Sequence, residues 1–203
     1  MKCNTTRKAG CLALINIDKA KESLFALKNK PKFERMLHTA AIFTELMEQQ
    51  NIEPIIVGGL SVEIYSLNGY TTHDIDFVLD GYDKANDILH SLGFEKIGKD
   101  WFHPEIGVSV EIPDNYLAGD YGKVTTVPVG KRKVNVIGIE DIILDRLRAA
   151  VHWKSAQDRE WGFRLFLMYM EDIDLDYMES KLETPTEKIE LDHWRNEAKY
   201  EKE

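Results

Sequence analysis

Apolar residues recur at helical spacing in two early stretches, 18–29 and 32–50, divided by Pro31, whose ring cannot continue a helix. In the second stretch Phe33, Met36, Leu37, Ala40, Ala41, Phe43, Leu46 and Met47 fall mostly on one face. The period then changes. Pro54-Ile55-Ile56-Val57 is a short continuous apolar run that stops at Gly58-Gly59, and Leu60 to Leu67 returns to helical character before a turn at Asn68-Gly69. Strand, tight turn and helix thus follow one another. Asp74 to Leu79 reads as a second apolar strand, and Gly81, with Asp83 as the expected N-cap, introduces a helix that runs through Leu92 and closes at Gly93.

Strand-like pieces dominate next, at 94–97, 101–103, 108–112, 124–129 and 131–137, with Gly130 turning the last pair into a hairpin. From Glu140 helical periodicity takes over and predicts helices at 140–153, 155–170 and 175–182. A last helix opens at Thr184-Pro185-Thr186-Glu187, where Thr184 can cap, Pro185 suits the first turn and Glu187 completes a capping box. The expected fold class is α+β: a mixed β-sheet core flanked by helices, followed by a C-terminal helical part. Three regions follow: 1–50 with a basic arm and helices, 51–138 as the α/β core, and 139–203 as the helical region. No internal repeat and no low-complexity segment interrupts them.

Composition narrows the class. With 203 residues, 43% hydrophobic and 30% charged, the chain is long enough to bury a core and falls outside the disordered and collagen-like classes. No stretch approaches the ~18 apolar residues of a membrane span, and the basic, briefly apolar start meets charge again at Asp18 and Lys19, so a cytoplasmic protein is expected. Cys3 and Cys11 offer neither CxxC spacing nor a disulfide framework and are expected to be free thiols, not nucleophiles. The net charge of -9 is unevenly spread: residues 1–35 hold nine Lys/Arg against three Asp/Glu, whereas residues 171–203 hold five against twelve. That balance argues against a protein that coats nucleic acid non-specifically.

Three elements carry candidate chemistry. Gly58-Gly59-Leu60-Ser61 lies between a predicted strand and helix, where missing Cβ atoms admit a phosphate, the helix N-terminus offers N–H donors and Ser61 adds a hydroxyl; plain turn chemistry is the alternative. Asp74-Ile75-Asp76 sits at the start of an apolar strand, so the period of two sends both carboxylates to one face. Such a pair is a solvated strand edge, or one member holds a proton, or a cation lies between them. Glu111 is a lone carboxylate among the β-branched residues of Val108–Ile112: a surface group, or a third metal ligand beside the aspartates.

The order of helix, strand, GG-x-S, helix, D-x-D strand and later strand acid resembles the DNA polymerase β-type nucleotidyltransferase superfamily in its minimal bacterial form. The resemblance implies a nucleotidyltransferase core in which Gly58, Gly59 and Ser61 hold the NTP, Asp74 and Asp76 bind Mg²⁺, two ions in all, and Glu111 binds metal and activates the acceptor hydroxyl. The segment IEDIILDRLRAAVHWKSAQD is similar to abortive-infection toxin-type nucleotidyltransferases, with Glu140-Asp141, Arg146-Leu147 and Gln157-Asp158 at the matching positions. Arg stands there in place of Lys, and Trp161 replaces an acid. On this resemblance Arg146, Arg148 or Lys154 reaches the triphosphate, the acceptor is RNA such as tRNA, and an antitoxin protein is a partner. A small-molecule acceptor of antibiotic type and a catalytically inactive nucleotide- or protein-binding module are the alternatives.

Remaining features are expected to be structural. The six histidines show no HExxH spacing, and His73 beside Asp74 reads as a turn residue. Lys131-Arg132-Lys133 is expected to protect a sheet edge. Trp153, Trp161, Phe163, Phe166 and Tyr169 occur at helical spacings and are expected in the core.

Overall fold

The computed structural model of the chain describes residues 16–200; Cys3, Cys11 and most of the basic arm lie outside the described residues. The helices α1 (Ile17–Phe25) and α2 (Lys32–Glu48) come first, with Pro31 at the N-cap position of α2. β1 (Ile55–Val57) passes directly into α3 (Gly58–Tyr65), so the helix starts two residues earlier than the sequence predicts. There follow β2 (Asp74–Val78), α4 (Tyr82–Leu92), β3 (Glu95–Ile97), β4 (Asp100–His103), β5 (Val108–Asp114), β6 (Thr125–Val129) and β7 (Arg132–Val136). The C-terminal half is α5 (Ile139–His152), α6 (Ala156–Tyr169), α7 (Leu175–Ser180) and α8 (Pro185–Tyr200).

All seven strands join one mixed sheet in the order β3-β4-β5-β2-β1-β7-β6. β2 is its middle strand, antiparallel to β1 and parallel to β5. Alternation explains which face is packed: Ile75 and Phe77 of β2 and Val108 and Val110 of β5 are fully buried. The Phe43 ring of α2 lies 5.0 Å from that of Phe77, and α1 and α4 pack beside α2. Removing this apolar surface from water stabilises the sheet by roughly 25 cal/mol per Å².

α5 packs along α6 and touches α7 and α8. Their convergence depends on Gly162, where a Cβ would lie 2.5 Å from the Trp194 ring and 2.9 Å from Arg146 Cβ. The Tyr169 hydroxyl donates to the Tyr65 carbonyl at 2.8 Å and ties α6 to the end of α3.

Four local expectations are corrected. Gly81 and not Asp83 takes the N-cap position of α4, and Asp83 lies in the first turn, where its charge suits the helix dipole. In α8 the Glu187 N–H donates to Thr184 Oγ1 at 3.2 Å as predicted, but the Glu187 carboxylate accepts from the Glu183 N–H, one residue before the cap. Arg132 and Lys133 lie in the hairpin at the β6 edge of the sheet, but they do not stand free there: the two cations reach Glu45 and Glu48 of α2. Trp153 is 82% exposed, because it follows the last helical residue of α5 and leaves the packed face; Phe166 is buried as expected.

Candidate active site

Alternation along β2 places Asp74 and Asp76 on the face opposite Ile75 and Phe77, and the parallel ladder with β5 sets Glu111 directly beside Asp76. One oxygen from each of the three carboxylates lies within 4.8 Å of the others. The neighbouring ladder with β1 pairs Val57 with Asp76 and so brings the strand-to-helix turn against the acids. Gly58 turns the chain with φ +59°, and a Cβ there would lie 2.1 Å from Asp76 Oδ2. Glycine is required both for the left-handed backbone and for the space.

Hydrogen bonds fix the two aspartates. The Gly59 N–H donates to Asp76. Thr72 Oγ1 donates to Asp74 Oδ1 at 3.1 Å, while the Thr72 N–H donates to the buried Glu63 carboxylate of α3 at 3.3 Å. Burial holds Glu63 above its ordinary pKa. Ser61 is buried, and its hydroxyl donates to the Gly58 carbonyl at 2.7 Å, closing the turn. Thr72 and Glu63 were not singled out from sequence, because a contact between a loop and the preceding helix leaves no periodic trace.

The electrostatics are those of a partly compensated site. Burial, with the added repulsion of Asp74 and Glu111, pushes the Asp76 carboxyl up to about 6 against the partial relief of the Gly59 N–H and Arg146. Sequence reading also missed Lys99 and Asp100. Lys99 Nζ lies 2.6 Å from Glu111 Oε1, and this hydrogen bond raises the lysine's pKa. Asp100 begins β4 beside Glu111; burial and then Glu111 raise its pKa. The predicted strand began one residue later, at Trp101, and so left Asp100 out; counting back along the hairpin would have found it. An all-oxygen donor set with mutually repelling carboxylates fits a hard divalent cation such as Mg²⁺.

The predicted cations fare differently. Arg146 projects from α5 with only 17% of its side chain exposed, and its guanidinium is held by Asp145 at 2.6 Å and Asp158 at 2.6 Å. It lies within electrostatic reach of Asp76 and of Tyr70, whose ring meets Trp161 edge-on at 5.1 Å. Lys154 is exposed in the α5–α6 turn with φ +57° and forms no ion pair among the described residues. Arg148 turns to the α7–α8 connection, donating to the Lys181 carbonyl at 2.7 Å. His73 Nδ1 lies 3.0 Å from Lys32 Nζ.

This mixed sheet with its helical C-terminal half has an α+β nucleotidyltransferase fold, shown by likeness to a solved structure. The chain superposes on the crystal structure of an antigenic nucleotidyltransferase-like protein from Paracoccidioides brasiliensis with a TM-score of 0.50 and 17% identity, covering 76% of each chain. A second similar structure is that of ANT(2")-Ia in complex with adenylyl-2"-tobramycin, with a TM-score of 0.47, 14% identity, and coverage of 72% of this chain and 91% of that one. No protein-family model and no curated protein matches the sequence. Among the described residues no helix is long and apolar enough to cross a membrane.

Proposed function

We propose that this chain is a metal-dependent nucleotidyltransferase that moves a nucleoside monophosphate from an NTP to an acceptor hydroxyl. The observation that carries the reading is the meeting of Asp74, Asp76 and Glu111 on two paired strands, against the glycine turn that opens α3. In this reading the three carboxylates hold two Mg²⁺ ions, which when bound neutralise charge on the α-phosphate and on the departing pyrophosphate. Glu111 takes the acceptor proton as the hydroxyl oxygen forms its bond to the α-phosphorus. The bond from that phosphorus to the bridging oxygen breaks, and pyrophosphate leaves with the electron pair. The Gly58-Gly59 turn offers its backbone to the triphosphate, the places of its missing Cβ atoms being taken by Asp76 and Thr72; Ser61 fixes that turn, and Arg146 and Lys154 supply positive charge from the α5 side.

The acceptor is an RNA end, such as that of tRNA, in the first reading and a small-molecule hydroxyl in the alternative. The test is pyrophosphate release from each labelled NTP with Mg²⁺, across both classes of acceptor. Label is expected on one class, and Asp76→Asn is expected to lower the rate by about 10³-fold or more. No metal-dependent nucleotide binding and no pyrophosphate from any combination would overturn the reading. Growth arrest on expression, relieved by a co-expressed partner protein, would mark the RNA branch as a toxin with its antitoxin. One observation favours a binding module without catalysis: the Arg146 guanidinium is engaged by two carboxylates. Calorimetry with Mg²⁺ and ATP or CTP separates the two readings, since a scaffold without metal affinity gives no heat.

A further inference from the structure

The hairpin joining β3 to β4 turns on Gly98-Lys99, between the paired residues Ile97 and Asp100. In the next ladder Trp101 faces Val110, so the turn before Trp101 reaches the row that holds Glu111. There Lys99 Nζ meets Glu111 Oε1 at 2.6 Å. The two partners differ in freedom. Glu111 is fixed on an inner strand with 17% of its side chain exposed, whereas the Lys99 side chain is 74% exposed on a two-residue turn. Among the described residues no other lysine or arginine forms an ion pair with Asp74, Asp76 or Glu111.

A solvated ammonium on a flexible four-carbon stem can leave its partner for water, which takes over its hydrogen bonds. The backbones that carry these carboxylates cannot move apart, since 74–76 and 109–111 are paired in register. The geometry points to Lys99 as a tethered counter-cation of the acid cluster, which occupies Glu111 in the metal-free protein, competes with a divalent ion for that carboxylate, and swings out when the ion binds. The inference rests on the metal-binding reading of the same acids and adds to it a residue that tunes affinity from outside the ligand set. It makes a signed prediction. Deleting a group that only braces the site weakens metal binding, whereas deleting a competitor strengthens it.

The experiment is Mn²⁺ titration of the full chain by calorimetry, with thermal unfolding in chelator and in saturating Mn²⁺, for wild type, Lys99→Met and Lys99→Arg. Lys99→Met is expected to bind Mn²⁺ about three- to tenfold more tightly, the effect of removing one unit charge several ångströms from the ion at high effective dielectric. Its Tm is expected to fall below wild type in chelator and to coincide with wild type in saturating Mn²⁺, and Lys99→Arg is expected to restore wild-type affinity. Equal or weaker Mn²⁺ binding by Lys99→Met, with wild type binding normally, overturns the role of Lys99 and leaves the metal site standing. Absence of Mn²⁺ binding in every variant overturns both.

Discussion

Two groups of enclosed acids in this protein are treated in opposite ways. In the helical half, Glu140, Asp141, Glu187 and Glu190 are all buried, and each is answered by donors. Glu140 accepts from Lys123 at 3.0 Å and from the Asp174 N–H at 3.1 Å, and Asp141 from the Tyr177 hydroxyl at 2.6 Å and the Asp120 N–H at 2.8 Å. Glu190 accepts from Trp194 at 2.8 Å and pairs with Arg159. Burial pushes Glu187 up, yet the Glu183 N–H, His152 and Arg148 outweigh it and hold its pKa below the ordinary value. On the sheet, Asp74, Asp76 and Glu111 face one another, and Asp76 rises to about 6. The helical acids complete the fold from within the chain, whereas the strand acids repel one another, and the proposed function assigns their completion to a cation from outside.

That contrast can be broken at either end. Gly58→Ala should have the largest effect, because the new Cβ meets Asp76 Oδ2 and the residue must hold a left-handed backbone. The left-handed backbone and the clash together are expected to cost about 3 kcal/mol in urea unfolding, with a 10- to 100-fold loss of Mn²⁺ affinity by calorimetry. Glu187→Ala, which removes the partner of the Glu183 N–H and of His152, should cost about 2 kcal/mol in the same unfolding assay while leaving Mn²⁺ affinity unchanged. Reduced Mn²⁺ affinity there would show that the two acid groups are not independent.

The smallest effect is a pH dependence. Because the folded-state pKa of Asp76 is about 6, above its ordinary value of 3.8, the native chain keeps a proton that the unfolded chain releases between those values. Its contribution is therefore lost as pH rises through that window. Metal-free wild type should lose about 1–2 kcal/mol relative to Asp76→Asn between pH 4 and pH 7, read as the difference between their Tm curves. Saturating Mn²⁺ should abolish the wild-type loss at pH 7.

Much of this contrast is legible in the sequence, and for identifiable reasons. The period of two in DIDFV fixes the common face of Asp74 and Asp76 without any tertiary information, and the Gly-Gly after an apolar run marks the turn beside them. Glu111 was reachable because β-branched neighbours define its strand. Its partner Lys99 was passed over because the predicted strand began at Trp101, two residues beyond it, although β4 pairs with β5 nearby in the chain; the β2–β5 pairing that sets Glu111 beside the aspartates spans more than thirty intervening residues and leaves no local trace. Helical spacing likewise identified Phe166 as core but misplaced Trp153, because periodicity does not say where a helix stops. The satisfied acids of the helical half could not be told from surface charges: the donors to Glu140, Asp141 and Glu187 come from segments far along the chain or from backbone N–H groups, which a sequence does not distinguish.

The position of β2 at the centre of the seven-stranded sheet has one further effect. A pair of aspartates on an outer strand would lose its alignment whenever that strand frayed, many times before the molecule as a whole came apart. Here the acids are anchored where hydrogen-bonded neighbours hold both flanks, so their spacing persists through local breathing and disappears only with cooperative collapse of the domain.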